Sequence, residues 1–97
     1  MVIEWLSYRV PPADQPAFLA ADAAVWTATL TRLPGCIAKE TWVRADAPDR
    51  IDLIIRWQSR AHWHAVPRDL LTATEARFRA AFTGQADFLG CTDLDVL

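Results

Sequence analysis

Hydrophobic period divides the chain into alternating strand and helix segments. Val2 to Val10 is a β-branched and aromatic run that reads as a strand, ended by Pro11-Pro12. Asp14 stands where a helix N-cap is expected, with Pro16 tolerated in the first turn. From there to about Leu33, residues Leu19, Ala23, Trp26, Leu30 and Leu33 fall on one helical stripe, flanked by Phe18 and Val25. Pro34-Gly35 stops that helix. Cys36 to Arg44 reads as a second strand, Ala45 to Arg50 as a polar turn and Ile51 to Gln58 as a third strand, so the short link predicts an antiparallel hairpin. Ser59 can cap a short helix over residues 60–66, and Pro67 suits the first turn of another. In that helix Leu70, Leu71, Thr74, Phe78, Ala81 and Phe82 form the expected buried face, with Glu75 and Arg79 as an i, i+4 pair on the outside. Thr83-Gly84 ends it. Phe88 to Val96 completes the pattern as a strand, although Asp93 and Asp95 disfavour a strand interior.

The predicted order is βαββαβ with a broken second helix. That is an α+β, ferredoxin-like arrangement in which two helices cover one face of a four-stranded antiparallel sheet, as a single domain over residues 1–97. The alternation of strand residues raises the question of the other face. Leu53, Ile55 and Trp57, with Ile3, Trp5, Ile37 and Val43, best suit the helix side. The opposite set mixes Leu6, Tyr8, Trp42 and Ile54 with Glu4, Glu40 and Arg56. A solvated face would not carry Leu6, Trp42 and Ile54, and a dry core would not carry two glutamates and an arginine. An interface between two copies, with a polar-lined cavity in which Arg56 pairs with Glu40 or Glu4, accommodates both.

Composition sharpens this picture. Ninety-seven residues allow one modest core, yet 53% of them are hydrophobic and five are tryptophan. That excess fits a buried subunit interface, a ligand cavity, or both. The net charge of −2, with one lysine (Lys39) against nine arginines and no basic run, leaves no footprint for nucleic acid. No apolar run approaches the ~20 residues of a membrane span, and the N-terminal segment with Glu4 does not read as a signal peptide, so a cytoplasmic location is expected. Cys36 and Cys91 lack any zinc-type spacing and are expected to be two small buried thiols; no metal or other cofactor is predicted.

The candidate chemistry clusters around the third strand and the short helix after it. His62 and His64 are two apart, so on a helix they point in different directions and are poor joint metal ligands. One of them facing a pocket could act as a general base. Tyr8 could donate a hydrogen bond to a phenolic or quinone oxygen. Trp57 and Trp63 could stack on a flat ligand. The candidate catalytic residues are therefore His64, Tyr8 and Arg56, and the candidate ligand-binding residues Trp57, Trp63, His62, Trp42 and Glu40.

The order of elements, the Pro34-Gly35 bend and the strand ending Ile55-Arg56-Trp57-Gln58-Ser59 before a histidine-bearing helix resemble the dimeric α+β barrel superfamily. Within it the whole chain resembles domains of the antibiotic-biosynthesis-monooxygenase type. The resemblance implies a homodimer with its sheets packed face to face and a pocket between sheet and helices in each subunit. It also implies either cofactor-free oxygenation of a flat aromatic or quinoid compound, or haem binding and degradation. Trp57 matches the tryptophan those relatives use, and His62 or His64 the histidine of the haem enzymes. Both groups also use an asparagine near the first strand, whereas this chain contains none. A non-catalytic ligand-binding or assembly module is the alternative that this departure leaves open.

Overall fold

The computed structural model describes residues 1–97. Its strands are β1 (Val2–Arg9), β2 (Cys36–Arg44), β3 (Ala47–Trp57) and β4 (Asp87–Asp95), and they form one antiparallel sheet in the order β2-β3-β1-β4. The order of elements and the sheet are those of the ferredoxin-like α+β fold. Helices α1 (Gln15–Asp22), α2 (Ala28–Leu30), α3 (Arg60–His64) and α4 (Arg68–Ala81) complete the chain. No helix is long and apolar enough to cross a membrane.

The hairpin between β2 and β3 is tighter than the sequence suggests. Only Ala45 and Asp46 form the turn, and β3 begins at Ala47 instead of Ile51. The added residues pair mainly with β1: Arg50 faces Arg9, and the Val10 amide donates to the Asp49 carbonyl at 2.7 Å. A polar composition there marks a strand with one well-paired side, not a turn.

The long first helix is interrupted. After α1 the backbone passes through a π-helical turn, Ala23–Thr27, before closing in α2. Asp14 does not cap α1; its carboxylate accepts from the Gln85 amide at 3.1 Å and ties the helix start to the α4–β4 loop. Ser59 does cap α3, accepting from the His62 amide at 3.2 Å.

Core packing divides into two clusters under the helices. Val10, Phe18, Ala21, Ile51, Leu53 and Phe82 form one, and Val2, Leu30, Ile55 and Trp57 the other. The face assignment for β3 holds: Leu53, Ile55 and Trp57 lie on the helix side. That for β1 is reversed. Glu4, Leu6 and Tyr8 pair across from Ile55, Leu53 and Ile51 and share the helix side, while Ile3, Trp5 and Ser7 share the uncovered face with Arg56, Ile54 and Asp52. Both parities of β1 are apolar enough to be buried, so alternation alone could not choose. On β2, Ala38, Glu40 and Trp42 lie on the uncovered face as expected, and the register shift after Cys36 leaves Ile37 53% exposed instead of under the helices.

The unfavourable aspartates of β4 have a specific partner. Asp93 and Asp95 both accept from Arg60 at the start of α3, with Nε to Asp93 Oδ2 at 2.8 Å and Nη2 to Asp95 Oδ1 at 3.0 Å. They fasten the short helix to the sheet edge, and charge complementarity outweighs their poor strand preference.

Gly35 fixes the entry into β2. Its φ is +81°, and a Cβ placed there would lie 2.3 Å from the His62 ring. The Gly35→Ala variant is expected to lose about 2 kcal/mol or more in urea denaturation, combining left-handed strain with overpacking. Adding His62→Ala should restore the packing part and leave the strain.

Candidate functional site

α4 packs on α1 and the π-helical turn and stands off the β1–β4 half of the sheet. The gap beneath it is an open cleft of about 1420 Å³. Its floor is apolar: Leu6, Leu53, Ile55 and Trp57. Trp63 and His64 on α3 close one end, and Tyr8, Phe78 and Phe88 lie towards the other. The polar-lined cavity expected on the sheet's second face is not formed within the chain. The polar side chains that would have lined it are divided between the two faces.

Glu4 is the central polar group. Its Oε1 accepts from Trp57 Nε1 at 3.0 Å. Burial pushes its carboxyl above the usual carboxylate range, opposed by that hydrogen bond and by nearby His64. Tyr8 stands between Phe18 and Phe88, with ring centroids 5.5 and 5.4 Å away, and burial together with the Glu75, Asp22 and Glu4 carboxylates pushes its phenol up to about 12. It is therefore a neutral donor at physiological pH.

A second polar group meets the cleft from β2. Lys39 lines it, and its ammonium bonds to Asp22 Oδ2 and, at 2.8 Å, to Thr27 Oγ1. Both side chains of the ion pair are nearly solvent-free, at 2% for Lys39 and 3% for Asp22. Asp22 Oδ1 is enclosed without any hydrogen-bond donor. Burial raises the Asp22 carboxyl, and Lys39 opposes that rise.

The residues singled out from sequence divide sharply. Tyr8, His64, Trp63 and Trp57 meet in the cleft. Trp57 is only 1% exposed, so it supports the floor and positions Glu4 without offering a free ring for stacking. His62 turns away: its Nδ1 lies 2.6 Å from Ser59 Oγ and its ring covers Gly35. Arg56, Glu40 and Trp42 occupy the opposite face of the sheet. There Arg56 Nε bonds Glu40 Oε2 at 2.7 Å, which holds the Glu40 carboxyl below its ordinary range. None of these three can reach a ligand in the cleft, because the sheet lies between.

Glu4, Lys39 and Glu75 also line the cleft without having been singled out from sequence as site residues, and Asp22 bonds Lys39 from outside it. Glu75 lines the cleft as well as pairing with Arg79 at 3.1 Å. The available signal was Lys39, the chain's only lysine, placed inside a strand. The thiols are less enclosed than expected: Cys36 is half-buried and Cys91 is exposed.

Residues 1–82 match the sequence profile of the antibiotic biosynthesis monooxygenase family. Several solved structures share the fold. A candidate antibiotic biosynthesis monooxygenase from Bordetella bronchiseptica is 21% identical over 99% of this chain and 96% of that one, with a TM-score of 0.70. Rv0793 from Mycobacterium tuberculosis is 21% identical over 100% and 96%, with a TM-score of 0.61. SnoaB, a cofactor-independent oxygenase from Streptomyces nogalater, is 17% identical over 92% and 90%, with a TM-score of 0.60. No curated protein matches the chain.

The raised Glu4 carboxyl has a consequence for stability. A carboxyl that ionises less readily when folded opposes folding once it is charged, so its stabilising contribution is complete below the ordinary value of 4.5 and is lost as pH rises through the folded value. Glu4→Gln is expected to raise Tm at pH 7, with the gain shrinking towards pH 4 in thermal melts. Trp57→Phe leaves Glu4 enclosed without its donor and should cost about 1–3 kcal/mol at pH 7.

Proposed function

Because the chain belongs to the antibiotic biosynthesis monooxygenase family, we propose that it is a cofactor-independent oxygenase acting on a flat phenolic or quinoid compound held in the cleft beneath α4. The observation that carries this reading is Glu4: a carboxylate of raised proton affinity, above an apolar floor, in the same cleft as Tyr8 and His64. A cleft of this size and lining fits a planar fused-ring molecule.

In this reading Glu4 acts as the general base, with His64 at the cleft's end as the route by which the proton leaves. Tyr8 donates a hydrogen bond to the substrate's carbonyl or phenolic oxygen and stabilises charge as it develops there. For an anthrone-type substrate the balance is simple. Glu4 removes a proton from the ring CH₂, and the resulting carbanion, delocalised into the oxygen, gives its electrons to dioxygen. The hydroperoxide that forms on that carbon eliminates water and leaves a carbonyl. One CH₂ and one O₂ yield one C=O and one H₂O, with no other reductant.

The second copy implied by the uncovered face belongs to the same proposal. Trp42, Leu94 and Ile37 remain substantially exposed on or beside that face. Trp5, also on it, has its indole N–H enclosed without an acceptor. A homodimer with the two sheets face to face covers this surface, and the covering leaves the cleft of each subunit free on the other side. The unpaired cysteines fit a reducing cytoplasm.

Aerobic incubation with hydroquinones and anthrone-like compounds should give oxygen uptake above buffer, and Glu4→Gln should reduce it by about 10²-fold or more. No uptake across the panel would overturn the oxygenase reading. Light scattering should give a mass of about twice 10.9 kDa; a single-chain mass would remove the dimer.

A further inference from the structure

The residues Lys39, Ile55 and Glu4 form one row across the sheet. Lys39 pairs with Ile55, and Ile55 pairs with Glu4, so all three side chains rise on the helix side from adjacent strands β2, β3 and β1. The outer two strands are about 10 Å apart at the backbone, twice the spacing of neighbouring strands. All three residues line the cleft. A planar molecule in the cleft above this row therefore has a carboxylate towards one side and an ammonium towards the other.

The seat of that ammonium is specifically built. Asp22 and Thr27 are five residues apart, and on an α-helix at 3.6 residues per turn they would point about 140° away from each other. The π-helical turn Ala23–Thr27 inserts the extra residue that brings them together. Both then bond the same Nζ. An ammonium has three N–H donors, and this pair uses two of them. Asp22 and Thr27 do not line the cleft, so Lys39, with its side chain 2% exposed, is the member of this group on the cleft side. The Asp22 oxygen left without a donor shows that the protein compensates this carboxylate only through Lys39 and has no second cation at the site.

We propose that Lys39 is an oxyanion-binding residue: the cleft takes a flat phenolic or anthrone-type molecule with one oxygen towards Lys39 Nζ and the carbon that Glu4 deprotonates at the other side of the row, so that the anion formed carries its charge on the oxygen at Lys39. Asp22 and Thr27 are positioning residues that hold the ammonium through the π-helical turn. This deepens the oxygenase reading and rests on its placement of a flat phenolic ligand in the cleft. Lys39 stabilises the anion that Glu4 generates and that reacts with dioxygen, and the row across the sheet separates the oxygen from the reacting carbon by a fused-ring width.

The test uses 1,2-dihydroxyanthraquinone, whose colour reports whether it is a phenol or a phenolate. Binding is followed by quenching of tryptophan fluorescence, and the bound dye is titrated by its visible spectrum. The variants are Lys39→Met and, because that change alone strands a buried carboxylate, the charge-free pair Asp22→Asn/Lys39→Met. The bound dye should ionise about one pH unit lower than free dye in the unaltered protein. Both variants should abolish the displacement and weaken binding of the phenolate roughly tenfold, while leaving the neutral phenol bound as before. A dye that binds all three proteins and ionises alike in each would overturn the role of Lys39. A Lys39-dependent displacement without oxygen uptake on any panel substrate would support the anion site and reject the oxygenase chemistry. Failure of the dye to bind the unaltered protein would reject both.

Discussion

Strand β3 is buried on both faces, and the rest of the architecture answers to that constraint. Ile51, Leu53, Ile55 and Trp57 lie under the helices, and Asp52 and Ile54 are equally enclosed on the other side. A strand of this kind needs a neighbour along each edge and a cover on each face. β1 and β2 supply the edges, and α1 with the π-helical turn supplies one cover. On the second face the protomer provides only side chains from its own sheet: Trp5, Trp42, the Arg56–Glu40 pair, and Ser7, whose hydroxyl donates to Asp52 at 2.8 Å. That partial cover explains why the uncovered face is neither a solvated surface nor a finished core.

The cleft follows from the same arrangement. α1 packs on the sheet through Phe18 and Ala21, and α4 rests on α1 and the π-helical turn. Space is left above the β1 half, where Glu4, Leu6 and Tyr8 rise. The short helix α3 closes one end because Arg60 fastens it to Asp93 and Asp95 of β4. Polar groups tolerate this environment through one or two well-made partners: Glu4 through the Trp57 indole, and Lys39 through Asp22 and Thr27. Each partner comes from a different element, so the site depends on the fold as a whole and could not be carried by one segment.

Much of the fold was legible. β2 has the bounds expected of it, β1 and β4 agree to a residue at each end, and the Ser59 cap sits where a serine before a short helix belongs. The opposite directions of His62 and His64 also follow from helical spacing. Less could be read where two signals were of similar strength. On β1 the sets Ile3–Trp5 and Leu6–Tyr8 are comparably apolar, and choosing the wrong parity moved Glu4 and Tyr8 to the wrong face. Arg56, Glu40 and Trp42 lie on the uncovered face of the sheet, as their alternation suggests, and the sheet separates them from the cleft. The π-helical turn left no trace in the pattern, since the apolar stripe through Leu19, Ala23 and Trp26 reads equally well as continuous α-helix.

By itself the sequence determined the order and type of the elements, the antiparallel hairpin, the single sheet and the absence of a basic footprint. These depend on local period, turn chemistry and composition, which act over a few residues. Only the tertiary structure decided which face of β1 meets the helices, that Glu4 lies over Trp57, and that Asp22, Thr27 and Lys39 converge. Those outcomes join residues from 12 to 53 positions apart. They are set by strand register and by one inserted residue in a helix, and a shift of one position in either sends a side chain to the other side of its element.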